Sequence, residues 1–187
     1  ISNHTTEGKE LIERLNLEDY GIPIRFTGPL WDSKLLQKMF VTRVNIHLGE
    51  TDKKKVGVLL VGHGQPKEWD LNWPTETAHE IKFREDVLEL FVKDGYDRKN
   101  LNLAWMEFRD PCPSEAIKKL IQRGVKKIFY FSAAISADSI HSMCDLPELV
   151  AKADISNEVE IVNLGAWNDD PLVIRAIKEK IDRVIST

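Results

Sequence analysis

The chain has 187 residues, 42% hydrophobic and 30% charged, the balance of a globular chain able to bury a full core. No apolar run reaches the roughly 18 residues that a spanning helix needs, so a helical integral membrane protein is excluded. A net charge of −4, with no basic stretch denser than Lys53-Lys54-Lys55, argues against nucleic acid as a partner.

In chain order, the first 48 residues read as a helix over Lys9–Leu15, a strand over Ile22–Phe26 and a helix over Ser33–Val44. A polar stretch, 49–54, follows as a linker. Val56–Val61 is a continuous apolar run, expected of a strand covered on both faces of a parallel sheet. Thr77–Asp94 carries Phe83, Val87, Leu90 and Phe91 at helical spacing, with Gly95 as its stop. Leu101–Phe108 is a second strand. Ser114–Arg123 is a helix with Pro113 suited to its first turn and with Ala116, Ile117, Leu120 and Ile121 on its apolar face. Lys127–Ser132 is a third strand, Ser139–Ala153 a helical segment, Val159–Leu164 a fourth strand and Pro171–Ile185 a final amphipathic helix. Alternating strands and helices predict an α/β fold with a doubly wound, parallel, four-stranded sheet.

A search for internal repeats gives the first 48 residues a context. Shifting the chain by 137 positions lays Gly28 on Gly165, Ser2 on Ser139, His4 on His141, Ile24 on Ile161, Asp32 on Asp169 and Leu35 on Leu172. The order of elements matches as well. Residues 1–48 are therefore expected to be the C-terminal part of a first repeat, and 55–187 a complete domain. The chain opens at Ile1 rather than Met, which fits a processed or partial chain. Cys112 and Cys144 cannot make a disulfide framework, and no signal-peptide pattern opens the chain, so a cytoplasmic location is expected.

Ligands of open α/β sheets bind beyond the carboxyl ends of the strands. There the sequence offers Gly62-His63-Gly64 after the first strand, Glu107 at the end of the second, and Asp138, Ser139 and His141 after the third. His63, His141 and Glu107, from three separate strands, form a candidate site. Imidazole and carboxylate together suit a divalent first-row transition metal, and the two glycines are expected to let a large flat ligand approach the backbone at His63.

These residues resemble the type II tetrapyrrole chelatases, which comprise the ferrochelatases and the sirohydrochlorin cobaltochelatases and nickel chelatases. Leu59-Leu60-Val61-Gly62-His63-Gly64 is similar to the opening of their domains. Trp105-Met106-Glu107 and Pro113-Ser114-Glu115-Ala116 resemble their second strand, glutamate and following helix. His141 through Leu149, with Asp145 and Pro147, resembles the His-x-x-x-Asp-hydrophobic-Pro segment of the short cobaltochelatase-like members. The resemblance implies two similar α/β halves around one cleft. It also implies insertion of Fe²⁺, Co²⁺ or Ni²⁺, as substrate, into a porphyrin or sirohydrochlorin, within heme, siroheme or cobalamin biosynthesis. His63, His141 and Glu107 would be both metal-binding and catalytic: the histidines hold the metal against a buckled ring, and Glu107 balances charge or takes pyrrole protons. No organic cofactor is called for. A complementary first half or a homo-oligomer would complete the cleft.

Two departures stand out. Ala137-Asp138-Ser139-Ile140 precedes the second histidine where a glycine pair is usual, and an insertion with Trp69 and Trp73 follows the first. Other readings compete with the functional ones. Glu107 could be a strand end paired with Arg109, Cys144 an inert buried thiol, and His47 and His79 solvated surface groups. A non-catalytic metal or tetrapyrrole carrier would use the same ligands. A dinucleotide fingerprint fails because its third glycine is Lys67, while a histidine phosphatase stays as a weaker alternative, the place of its arginine being taken by Gly62.

Overall fold

In a computed structural model of the protein, residues 12–16, 21, 24–72, 74–153 and 158–186 are described, the side chains of 74–76 excepted. His4, Trp73, residues 9–11 of the expected first helix and residues 22–23 of the expected strand lie outside them, while residues 12–14 are helical. Residues 24–26 carry no strand.

The core is a sheet of four parallel strands: β1 (Val56–Gly62), β2 (Leu101–Trp105), β3 (Lys127–Ser132) and β4 (Glu160–Asn163), in spatial order β2-β1-β3-β4. Among the described residues, the helices that accompany it are α1 (Lys34–His47), α2 (Pro74–Lys93), α3 (Pro113–Gln122), α4 (Leu146–Ala151) and α5 (Pro171–Ile185). Every residue of β1 is buried, because it is a central strand with helices on both sides. Its alternate side chains serve two cores. Val56, Val58 and Leu60 pack with Phe40 of α1, Phe83 and Phe91 of α2 and Val173 of α5. Leu59 and Val61 pack with Ile117 and Leu120 of α3 and Leu146 and Val150 of α4. Burying one such aliphatic side chain is worth roughly 1.5–3 kcal/mol over leaving it exposed. Helix α1, from the segment read as the end of a preceding repeat, contributes Leu36, Met39, Phe40, Val41 and Val44 to the first core.

The strand order fixes where a ligand can go. From β1 the chain crosses outward through α2 to β2, then returns through α3 to the other side of β1 as β3. The carboxyl ends of β1 and β3 therefore border the point where the winding reverses, the position at which open α/β sheets form a crevice. The expected second strand stops at Trp105 rather than Phe108, since Trp105 N–H already donates to the Pro111 carbonyl and the chain turns there. The expected helix Ser139–Ala153 is a turn of π-helix, His141–Asp145, followed by the short α4. Among the described residues, no helix is long and apolar enough to cross a membrane.

Candidate functional site

His63 stands one residue past β1 on a main chain held from several directions. Its N–H donates to Glu80 Oε1 at 3.2 Å, and its carbonyl accepts from Glu107 N–H at 3.0 Å. A Cβ on Gly62 would lie 2.2 Å from Glu80 Oε1 and 2.7 Å from Arg84 Cζ. Gly64, with φ of +87°, would put a Cβ 2.2 Å from the Glu107 carbonyl oxygen. Both distances are closer than atoms can pack. The two glycines thus make room for the protein's own glutamate and backbone.

Glu80 and Arg84 are one turn apart on α2 and reach under this corner together. Arg84 is fully buried, lies 3.9 Å from the centre of the Trp105 ring and donates to the Ala104 carbonyl at 2.7 Å. Burial pulls its pKa down to about 10, against the opposing pull of Glu80 and Glu85, so the guanidinium stays charged at neutral pH. Arg109 lies near the same indole but does not pair with Glu107: its ion-pair partner is Asp70. Asp70 also accepts from Gln65 Nε2 at 2.7 Å and Thr77 Oγ1 at 2.8 Å. These bonds, that from Gln65 foremost, hold its carboxyl down at about 2. The insertion that carries the half-exposed Trp69 is pinned at its middle by this one carboxylate.

His141 is presented differently. It opens the π turn, and its approach is braced by the Asp138 N–H donating to Asn168 Oδ1 at 2.9 Å and by Asn168 Nδ2 donating back to Asp138 Oδ1 at 3.1 Å. One turn on, Asp145 Oδ2 lies 2.7 Å from His141 Nδ1.

The two imidazoles come together, with ring centres 5.2 Å apart and planes at 75°. Their hydrogen bonds assign the tautomer. His63 Nδ1 lies 2.8 Å from the Gly64 carbonyl, which only accepts, so the proton sits on Nδ1. The Asp145 carboxylate imposes the same on His141. With the proton on Nδ1, the lone pair of each ring lies on Nε2, the atom able to take a metal or a proton. Glu107 is exposed beyond β2, tied to His63 through its main chain. Among the described residues, no three His, Cys, Asp or Glu side chains are gathered as a ready metal cage. Phe108, Ile140 and Met143, neighbours in sequence of Glu107 and His141, are all exposed.

Of the other residues considered, Cys144 is exposed rather than buried, and His47 is exposed as expected. His79 is not a solvated group: it stacks on Trp31 with ring centres 4.4 Å apart. Glu80, Arg84 and Asp70 went unrecognised in the sequence. For Arg84 a signal existed, since 83, 84, 87 and 91 form one helical stripe that is otherwise apolar. Glu80 and Asp70 look like any solvated acid.

The sequence profile of the CbiX family matches residues 57–184, which takes in all four strands. A sirohydrochlorin cobaltochelatase of Sulfolobus acidocaldarius is 27% identical over 132 residues, covering 70% of this chain and 94% of that protein.

Proposed function

The chain belongs to the CbiX family, among the type II tetrapyrrole chelatases, and from that premise we propose that it inserts a divalent metal ion into a tetrapyrrole, with Co²⁺ and sirohydrochlorin as the first pair to test. The observation that carries the reading is the pair of imidazoles at the winding reversal, both offering Nε2. The reaction exchanges one M²⁺ for two pyrrole N–H protons. His63 and His141 lend lone pairs to the substrate metal while it sheds water, and they release it as the ring nitrogens take over. Asp145 backs His141 as an outer carboxylate, which orients the ring and strengthens Nε2 as a donor. Glu107, at the next strand end, receives protons and passes them to solvent. Two imidazole nitrogens, with no third His, Cys, Asp or Glu gathered beside them among the described residues, would hold a divalent ion loosely, which suits transfer better than storage.

The test is anaerobic insertion followed by visible absorption, with Co²⁺ or Fe²⁺ and with sirohydrochlorin or a porphyrin. Multiple turnovers are expected, fastest with Co²⁺ and sirohydrochlorin. Uptake that stops at one equivalent would make the protein a carrier. A folded chain that neither binds nor turns over any ring would overturn the reading.

A further inference from the structure

Phe108 is placed where a phenylalanine has no structural reason to be. Its φ is +64°, in the left-handed region that disfavours any residue with a bulky side chain. The residue is 52% exposed, so about half of its surface is left facing solvent. Glycine or asparagine would suit this backbone better. The conformation is nonetheless imposed from both sides. Before it, Glu107 donates to the His63 carbonyl and lays its own carbonyl against Gly64. After it, Arg109 is held by Asp70 and lies over Trp105.

The neighbouring strand end repeats the pattern of exposed apolar groups. Ile140 and Met143, flanking His141, are 66% and 56% exposed. Exposed apolar residues thus adjoin, in the chain, both His141 and the Glu107 that is bonded to the His63 main chain, and one of them is aromatic and held at the expense of backbone strain. Strain of this kind persists where surrounding structure fixes it, and it gathers at ligand sites.

We propose that Phe108 is a ligand-binding residue whose ring packs on the face of the flat macrocycle at the His63 edge of the site. The inference rests on the tetrapyrrole reading and deepens it. Ring-on-ring contact is sequence-tolerant in the protein: any aromatic at 108 should serve, while glycine should relieve the backbone and lose the ligand.

The experiment measures equilibrium binding of metal-free sirohydrochlorin, by the shift of its visible bands, to the wild-type chain, Phe108→Gly and Phe108→Trp, with Tm recorded for each. For Phe108→Gly the expected result is a Tm raised by about 2–4 °C together with binding weakened about five-fold; Phe108→Trp is expected to bind like wild type. Glycine binding within two-fold of wild type would overturn the proposal. So would a glycine variant with lowered Tm, or a tryptophan variant that binds as poorly as glycine, since either makes the role of Phe108 structural. If the wild-type chain itself binds no tetrapyrrole, the functional reading falls first and this one with it.

Discussion

His63 and His141 reach the same edge of the sheet on different supports. The main chain at His63 is locked: Gly62 is roofed by Glu80 and Arg84, Gly64 abuts Glu107, and a buried guanidinium braces the corner against Trp105. His141 rides on a π turn between exposed Ile140 and Met143, braced by hydrogen bonds between loops and backed by one half-exposed carboxylate. Turns of π-helix recur at functional sites. In the proposed transfer the two rings would differ in how their main chains are held, one locked between glycines and one carried on a π turn. The contrast also assigns different work to the residues behind each ring. Glu80 holds backbone, whereas Asp145 holds the imidazole itself.

The sharpest way to break that contrast is at Gly62. Gly62→Ala forces a methyl into Glu80 and Arg84, and should cost about 1–3 kcal/mol, a fall in Tm of roughly 2–12 °C. Measured against the Glu80→Ala single variant, the same substitution should cost less than it does in wild type; an equal drop in Tm in both backgrounds would mean that the carboxylate is not what fills the space. On the other mount, Asp145→Ala should leave Tm near wild type and lower kcat/KM for insertion by roughly 10- to 100-fold. Steady-state kinetics that show no change would remove Asp145 from the site.

Glu80 should show a smaller, split effect. Glu80→Ala is expected to lower kcat by about ten-fold with little change in KM, because a backbone tie to a catalytic ring is lost. Glu80→Gln keeps an acceptor for the His63 N–H and should restore kcat. It also leaves buried Arg84 with less compensation, so its Tm should fall. If both variants behave alike in both measurements, the split is wrong. The smallest effect concerns Asp70, whose carboxyl is held below its usual 3.8, at about 2. A lowered folded-state pKa gives stability that is present above the unfolded value and is lost as pH falls toward the folded one. The Asp70 contribution should therefore vanish between about pH 4 and pH 2, and Asp70→Asn should flatten that stretch of an acid-unfolding titration.

What could be read from the sequence follows from how local each signal is. β3 and α5 have the bounds that their apolar patterns mark, Lys127–Ser132 and Pro171–Ile185, because burial repeats along a strand or helix and needs no distant partner to be seen. The meeting of His63 and His141 was legible too, since strands of a parallel sheet share one carboxyl edge. The mounts were not. That Gly62 makes room for Glu80, 18 positions on, is a three-dimensional fact, and so is the pairing of Arg109 with Asp70 instead of Glu107. The end of β2 was misjudged for the same reason: Met106 and Phe108 continue an apolar pattern, but the chain turns at Trp105 to bring Glu107 beside His63.

The measurement that bears most directly on the paired-imidazole site is a double-mutant comparison of Co²⁺ insertion into sirohydrochlorin by wild type, His63→Ala, His141→Ala and the double variant, each checked for folding by its Tm. If the two Nε2 atoms act on one metal as a unit, each single variant should lose at least about 100-fold in turnover, and the double should be no worse than the poorer single. A folded single variant that turns over near the wild-type rate, or losses that simply multiply in the double, would contradict a shared site.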